Sequence, residues 1–437
     1  MSRPAPTFAI VGANLTGGAA ATTLRSEGFE GRIVLIGAEP HPPYERPPLS
    51  KEYLRGESMV QNVLLRPASW YKDNDVELHL GVRAEGIDPG ERVVGLADGT
   101  KISYQKVLVA TGGRNRAPAV EGHELDGVHD LRTIEDADRI RSEARPGSKA
   151  VVVGAGFIGC EVAASLRLLG VQVEVVEIFG TALQRALGPA VGSVFEGIHR
   201  DHGVAFHFDQ VVERFAGRGR VEEVLTDRGS RIGCDFVVIG IGIEPNVDVV
   251  EGAGVAVDNG VLVDELCRTN VDGIYAAGDV ANHWHPLFER HIRVEHWDNA
   301  LKQGAAAARA MMGKEEPFDD PHWFWSDQYD QNLQSIGVVS DWDELVIRGS
   351  LEDRNFLAFY MRNGSMIGAV GLNRGRDVRR CGPLIRSRMP LDLVALKDED
   401  VDLKKLAASI SERGVRGGSG NERGGPGGSS PASEASR

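Results

Sequence analysis

The sequence predicts an α/β protein with two doubly wound units and a C-terminal α+β domain built on an antiparallel sheet. Three observations carry this. An apolar run, a glycine turn and a helix-like segment occur together near the N-terminus and again from Lys149. Short strand-like segments without long helices between them follow Pro321. The length of 437 residues allows about three domains of ordinary size.

The elements follow in order. TFAIVG, AAATTLRSEG and RIVLIGAE read as strand, helix and strand, and KAVVVG, FIGCEVAASLRLLG and VQVEVVE repeat that order. Duplication of one unit is the simplest account. KVLVATGG and CDFVVIGIG are strand-to-glycine turns late in each unit, and GIYAAGDVA is another. HWFWSDQYD gathers several aromatics, and SIGVV, ELVIRGS, NFLAFYM and MIGAVGL then read as short strands. The expected boundaries are 1–118 with 246–320 for the first unit, 119–245 for the second and 321–410 for the third. Residues 411–437 are Gly/Ser-rich with little to bury and read as a disordered tail.

Composition narrows the function. The chain is 42% apolar and 26% charged, as in a globular protein. No apolar run reaches the roughly 18 residues of a membrane span, and MSRPAPTFAI lacks a secretory signal pattern. A cytoplasmic protein without a membrane partner is expected. The net charge of −14 argues against broad nucleic-acid binding. Cys160, Cys234, Cys267 and Cys381 form no C-x-x-C pair, so neither a disulfide framework nor a thiolate metal site is expected. One local basic stretch, GLNRGRDVRRCGPLIRSR, carries Arg374, Arg376, Arg379, Arg380, Arg386 and Arg388. It is a candidate surface for an acidic partner.

The glycine turns point to two Rossmann-like dinucleotide sites. Gly154, Gly156 and Gly159 satisfy G-x-G-x-x-G between a strand and a helix. The first glycine makes the tight turn, the second lets pyrophosphate approach, and the third lets helix and strand pack closely. The helix start adds free N–H groups and a positive dipole end. Glu177 lies 23 residues after Gly154 at a strand end, where its carboxylate can accept from ribose hydroxyls. A 2′-phosphate would meet a like charge there, so NADH is expected over NADPH. In VGANLTGG, Gly12 and Gly17 fit the pattern, Leu15 lies between them as a candidate cofactor contact, and Glu39 follows Gly12 by 27 residues. Asn14 occupies the second glycine position. Asparagine tolerates left-handed backbone angles, and on that ground Asn14 is expected to hold the turn.

VGANLTGG, PYERPPLSKEYL, LVATGGRNR, VGAGFIGCEVA, VIGIGIEPN, IYAAGDVA, RVEHWDNALKQG and WFWSDQYD, in this order, resemble the FAD- and NADH-dependent ferredoxin reductases that serve oxygenases and cytochromes P450. The resemblance covers roughly residues 7–405. It implies FAD at the first turn and NADH at the second. It places Thr111 and Gly112 in the FAD cradle, Gly242 and Gly278 at nucleotide turns, and Asp279 on a ribityl hydroxyl. It sets Arg46 and Lys51 against FAD and pairs Lys51 with Glu161 as the catalytic couple. An ammonium beside the ring stabilises negative charge arriving there, and the carboxylate keeps the desolvated ammonium charged. Glu295, His296 and Trp297 resemble the segment passing the ring, and Trp325 the aromatic that the third domain brings to its edge. The implied partner is an acidic [2Fe–2S] or similar ferredoxin, because the chain has no cluster motif of its own.

Two alternatives stay open on sequence. A thiol, peroxide or disulfide reductase would place a cysteine near the flavin, and HPPYERPPLSK has none. A redox-sensing flavoprotein would turn over slowly. His283, His285, His291 and His296 lack metal-ligand spacing, and no metal site is expected.

Overall fold

The computed structural model describes residues 5–409. Strands Thr7–Val11, Arg32–Gly37, Val76–Leu80, Lys106–Val109 and Ile274–Ala276 form a five-stranded sheet with Thr7–Val11 at its centre. All its pairings are parallel. Side chains alternate across a strand, and that alternation divides the core. Phe8 and Ile10 pack with Ala20 and Leu24 of helix Leu15–Ser26 and with Ala307 and Ala308 of helix Trp297–Met311. Ala9 and Val11 pack instead with Ile87, Val94 and Ile102 of a small antiparallel sheet.

The second unit repeats the plan. Lys149–Val153 is central in a parallel sheet with Gln172–Val176, Ala205–His207, Phe236–Ile239 and Val128–Asp130. Helices Phe157–Leu168 and Gln184–Asp201 cover one face. A three-stranded antiparallel sheet from Val212 to Gly233 covers the other. The chain crosses between the two units twice, through antiparallel strands Gly113–Asn115 and Ile243–Pro245. Thr111 Oγ1 donates to the Asn246 carbonyl at 2.6 Å and Asn246 Nδ2 returns a bond to Thr111 O at 3.2 Å, which locks the crossing.

The third domain is a five-stranded antiparallel sheet in the order Trp323–Gln328, Gln331–Gly337, Ser365–Leu372, Asn355–Arg362, Glu344–Ser350. WFWSDQ, which reads in sequence as an aromatic cluster, is its edge strand. Phe356, Ala358, Tyr360 and Val370 share one core with the second unit, and Leu357, Phe359 and Ala369 face the domain's own short helices. The third domain therefore has no separate interior on that side, and burial of each large apolar side chain there contributes about 1.5–3 kcal/mol to holding the two parts together. No helix among the described residues is long and apolar enough to cross a membrane. The expected tail, 411–437, lies outside the described residues.

Candidate functional site

The two glycine turns have the same construction. Gly12 N–H donates to Ile36 O and Gly154 N–H to Val176 O, both at 2.8 Å. Both residues have positive φ, +123° and +98°, and a Cβ would meet Ala110 O at 2.0 Å or Gly240 O at 2.6 Å. A Cβ on Gly17 or Gly159 would likewise lie 1.9 or 2.0 Å from the carbonyl of the first glycine. These four glycines are required by the approach of helix and strand backbones. The second position differs. Gly156 has an extended backbone, and a Cβ there would meet nothing within 4 Å. Its smallness preserves open space beside the helix start, where a pyrophosphate fits.

Asn14 resolves by the same comparison, and the left-handed expectation is overturned. Its φ is −110° and ψ −167°, an extended conformation open to any residue. It is the N-cap of helix Leu15–Ser26, its Oδ1 accepting from Gly17 N at 3.2 Å while its Nδ2 donates to Ala110 O. The side chain is thus turned into the protein. An N-cap asparagine replaces a glycine here because it satisfies a helix N–H without pointing at the ligand space.

The strand-end acids sit where the spacing predicts, and their partners differ. Glu177 is buried, and its carboxylate accepts from Ala155 N–H and from Phe179 N–H at 3.0 Å. It ties the second glycine turn to the next strand and retains lone pairs for further donors. Glu39 pairs with Arg46 at 2.6 Å and accepts from Tyr44. Arg46 also donates to Arg132 O, so it bridges the strand-end acid and the second unit.

Lys51 and Glu161 meet at 2.8 Å with side chains only 10% and 5% exposed. Helix spacing explains the aim of Glu161. Phe157, Glu161 and Ser165 share one face at intervals of four, and that face meets the 3-10 turn Pro47–Ser50. Ser165 Oγ donates to Ser50 O at 2.7 Å. Ser50 Oγ and Lys51 Nζ both donate to Glu161 Oε2, and Ser326 Oγ donates to Oε1 at 2.7 Å. A carboxylate this buried is stable only when so paired.

The other expected site residues have partners of their own. Asp279 follows the close contact of Gly278 with Thr16, and Arg132 Nη2 donates to its carboxylate at 2.9 Å. Arg132 also sits beside Gly112, whose φ is +66°. Glu295 pairs with Arg293 at 2.7 Å, and burial pushes its pKa up. His296 stands against Phe324 at 4.2 Å between centroids, and burial lowers its pKa to about 4, leaving a neutral imidazole. Trp297 meets Trp325 edge-on at 5.5 Å, and Trp325 stacks on Trp323. Thr111 lies at the crossing with its hydroxyl committed to Asn246, and Gly242 is an open turn at φ +95°. Leu15 is the buried first residue of its helix.

Ser50, Ser326, Arg132 and Phe324 escape sequence reasoning. Each acts across a domain seam, and no local spacing marks it. The arginine stretch is less basic than its composition suggests. Arg374 and Arg380 pair with Asp377, Arg386 with Asp319 and Asp320, and Arg388 with Glu289. Its charge is largely neutralised locally. All four cysteines are buried and free. Burial pushes the Cys160 thiol far up, and its Sγ contacts Ala155 O. Among the described residues no group of three or more His, Cys, Asp or Glu side chains is placed to hold a metal ion.

Two open glycine turns, each backed by a strand-end acid and joined by a buried ion pair, define a scaffold that brings two dinucleotides together. The chain belongs to the pyridine nucleotide-disulphide oxidoreductase family, whose model matches residues 6–304, with a reductase C-terminal model matching 323–407. It is 38% identical over 400 residues to rhodocoxin reductase of Rhodococcus erythropolis, covering 91% of this chain and 94% of that one. It is 39% identical over 404 residues to the anthranilate 1,2-dioxygenase system ferredoxin–NAD(+) reductase component of Burkholderia cepacia, covering 91% and 98%. The fold is similar to that in the covalent putidaredoxin reductase–putidaredoxin complex, with a TM-score of 0.91, 33% identity and coverage of 94% of this chain and 100% of that one.

Proposed function

We propose that this protein is an NADH-dependent, FAD-containing ferredoxin reductase. In this reading FAD occupies the first unit, 1–118 with 246–320, and NADH the second, 119–245. Domain 321–410 contributes to the electron-transfer face. The partner is an acidic iron–sulfur ferredoxin serving a cytochrome P450 or a ring-hydroxylating oxygenase. The reading includes the cytoplasm, where a reducing environment suits four free cysteines.

The observation that carries it is the Lys51–Glu161 pair, contributed from opposite sides of the seam between the two units. Bound FAD supplies the conversion between a hydride and single electrons. The chain supplies the setting. Gly12, Asn14, Leu15 and Gly17 offer a helix start to one pyrophosphate, and Gly154, Gly156 and Gly159 offer another. Glu39 with Arg46, and Thr111, Gly112, Gly278 and Asp279 with Arg132, hold the flavin nucleotide. Glu177 selects an unphosphorylated ribose, and Gly242 leaves an open turn at the crossing between the units. Lys51 presents a positive charge that Glu161 orients. Glu295, His296, Trp297 and Trp325 wall the ring site and exclude water. The buried state of Cys160 weighs against a thiol-based reaction, which needs an exposed, electropositive cysteine.

The test is turnover. Purified protein with NADH should reduce cytochrome c only when a ferredoxin is added. Equal rates without ferredoxin would contradict the proposal.

A further inference from the structure

We propose that Ser326 is a positioning residue for the Lys51–Glu161 pair, held in that role by Gln328 and His199. This rests on the ferredoxin-reductase reading and assigns the third domain a part in the chemistry between NADH and flavin.

The argument begins at the carboxylate. Lys51 Nζ and Ser50 Oγ both bond to Glu161 Oε2. Among the described residues Ser326 alone donates to Oε1, at 2.7 Å. It therefore fixes rotation of the carboxylate about its Cγ–Cδ bond. An ionised carboxylate only accepts, so the Ser326 hydroxyl points its hydrogen at Glu161. Its oxygen is then free to accept from Gln328 Nε2 at 3.2 Å. That leaves Gln328 Oε1 facing His199 Nε2 at 2.8 Å, so His199 is the donor there. His199 Nδ1 in turn accepts from Tyr329 O–H at 3.2 Å. Every donor in the chain Tyr329–His199–Gln328–Ser326 is directed toward Glu161. Aligned hydrogen bonds polarise one another.

The chain is interior, with Gln328 and His199 fully buried and Ser326 1% exposed. Burial lowers the His199 pKa to about 4, which keeps the single ring proton that this direction requires. Strand alternation places Phe324, Ser326 and Gln328 on one face, opposite Trp323 and Trp325. His199 lies in the part of Gln184–Asp201 that follows the break at Gly188, and Tyr360 of the third domain bonds Leu187 O, before that break, at 2.7 Å. Apolar residues of equal volume would stabilise such a core at least as well, so orientation of Glu161 is what the polar chain adds. With Oε1 held by Ser326, part of the carboxylate charge is drawn away from Lys51, and more of the ammonium field reaches the ring.

The test uses flavin-loaded full chain with S326A, S326T and Q328M. Two quantities are read: the rate of flavin reduction at saturating NADH, and the flavin midpoint potential from dye titration without NADH. Loss of a hydrogen bond to a charged group should slow reduction in S326A by about tenfold. The same factor in the two-electron equilibrium moves the potential about 30 mV more negative. The NADH concentration for half-maximal rate should not change. S326T should restore both quantities, and Q328M should move both in the S326A direction by less. Wild-type values in S326A, or no recovery in S326T, would overturn the proposal. Should S326A fail to fold, Q328M against S326T decides the matter by the same two readings. If NADH fails to reduce even the wild type, the functional reading fails, and the dye-measured potentials still decide whether Ser326 acts on the pair.

Discussion

The Lys51 ammonium lies 2.8 Å from the Glu161 carboxylate although Lys51 follows the 3-10 turn Pro47–Ser50 of the first unit and Glu161 stands on helix Phe157–Leu168 of the second. With both side chains buried, neither charge is dispensable alone. Glu161→Leu should destabilise the protein by about 3–5 kcal/mol, because it strands a buried ammonium. Lys51→Met should slow flavin reduction by at least about tenfold, a barrier change of 1.4 kcal/mol. Urea unfolding and stopped-flow mixing with NADH check the two outcomes.

Asn14 has a structural duty that glycine cannot perform. Asn14→Gly removes the bond to Gly17 N and the donor to Ala110 O. Stability should fall by about 1 kcal/mol, chiefly from the lost bond to Ala110 O, because glycine itself caps to within a few tenths of a kcal/mol, with flavin retained. Asn14→Asp keeps the cap but adds a negative charge at the helix start, where the proposed reading puts the FAD pyrophosphate. Flavin content should drop in the aspartate variant alone, as absorbance per chain will report.

In the proposed reading, nucleotide choice follows from Glu177. Its carboxylate is anchored by Ala155 N–H and Phe179 N–H and cannot swing away from a 2′-phosphate. kcat/KM for NADH should exceed that for NADPH by about tenfold or more, a difference of at least 1.4 kcal/mol. Equal values would contradict the assignment.

Acid should weaken the junction of the first unit and the third domain. His283, His285 and His322 are packed ring to ring, and burial lowers the pKa of each, that of His283 to about 4. The unfolded chain binds protons at the ordinary value of about 6.5 while the folded one does not. Stability is therefore full above about pH 6.5 and is lost as pH falls toward 4, with His283 alone contributing roughly 2–3 kcal/mol to the loss. His283→Gln should flatten the fall in melting temperature across that window.

The glycine turns and strand-end acids were legible because their geometry is local. Gly12, Gly17, Gly154 and Gly159 serve contacts between a strand and the helix that directly follows it. Lys51 and Glu161 could be paired only through family resemblance, since 110 residues separate them. Ser326 and Arg132 left no trace in the sequence, because a serine or arginine is marked only by what another domain brings to it. Sequence reasoning attributes Asn14 to left-handed backbone tolerance, whereas side-chain capping on an extended backbone accounts for it. The arginine stretch is offset by one acid within it, Asp377, and by three that lie far from it in sequence, Asp319, Asp320 and Glu289, which its local composition does not reveal.

Anaerobic mixing of the purified full chain with NADH tests most directly whether two nucleotides meet at the Lys51–Glu161 seam. The protein should be yellow or become so with added FAD, should bleach on mixing, and should recover its colour when an oxidised ferredoxin follows. A chain that stays colourless after incubation with FAD, or a yellow one that NADH does not bleach, would contradict the account.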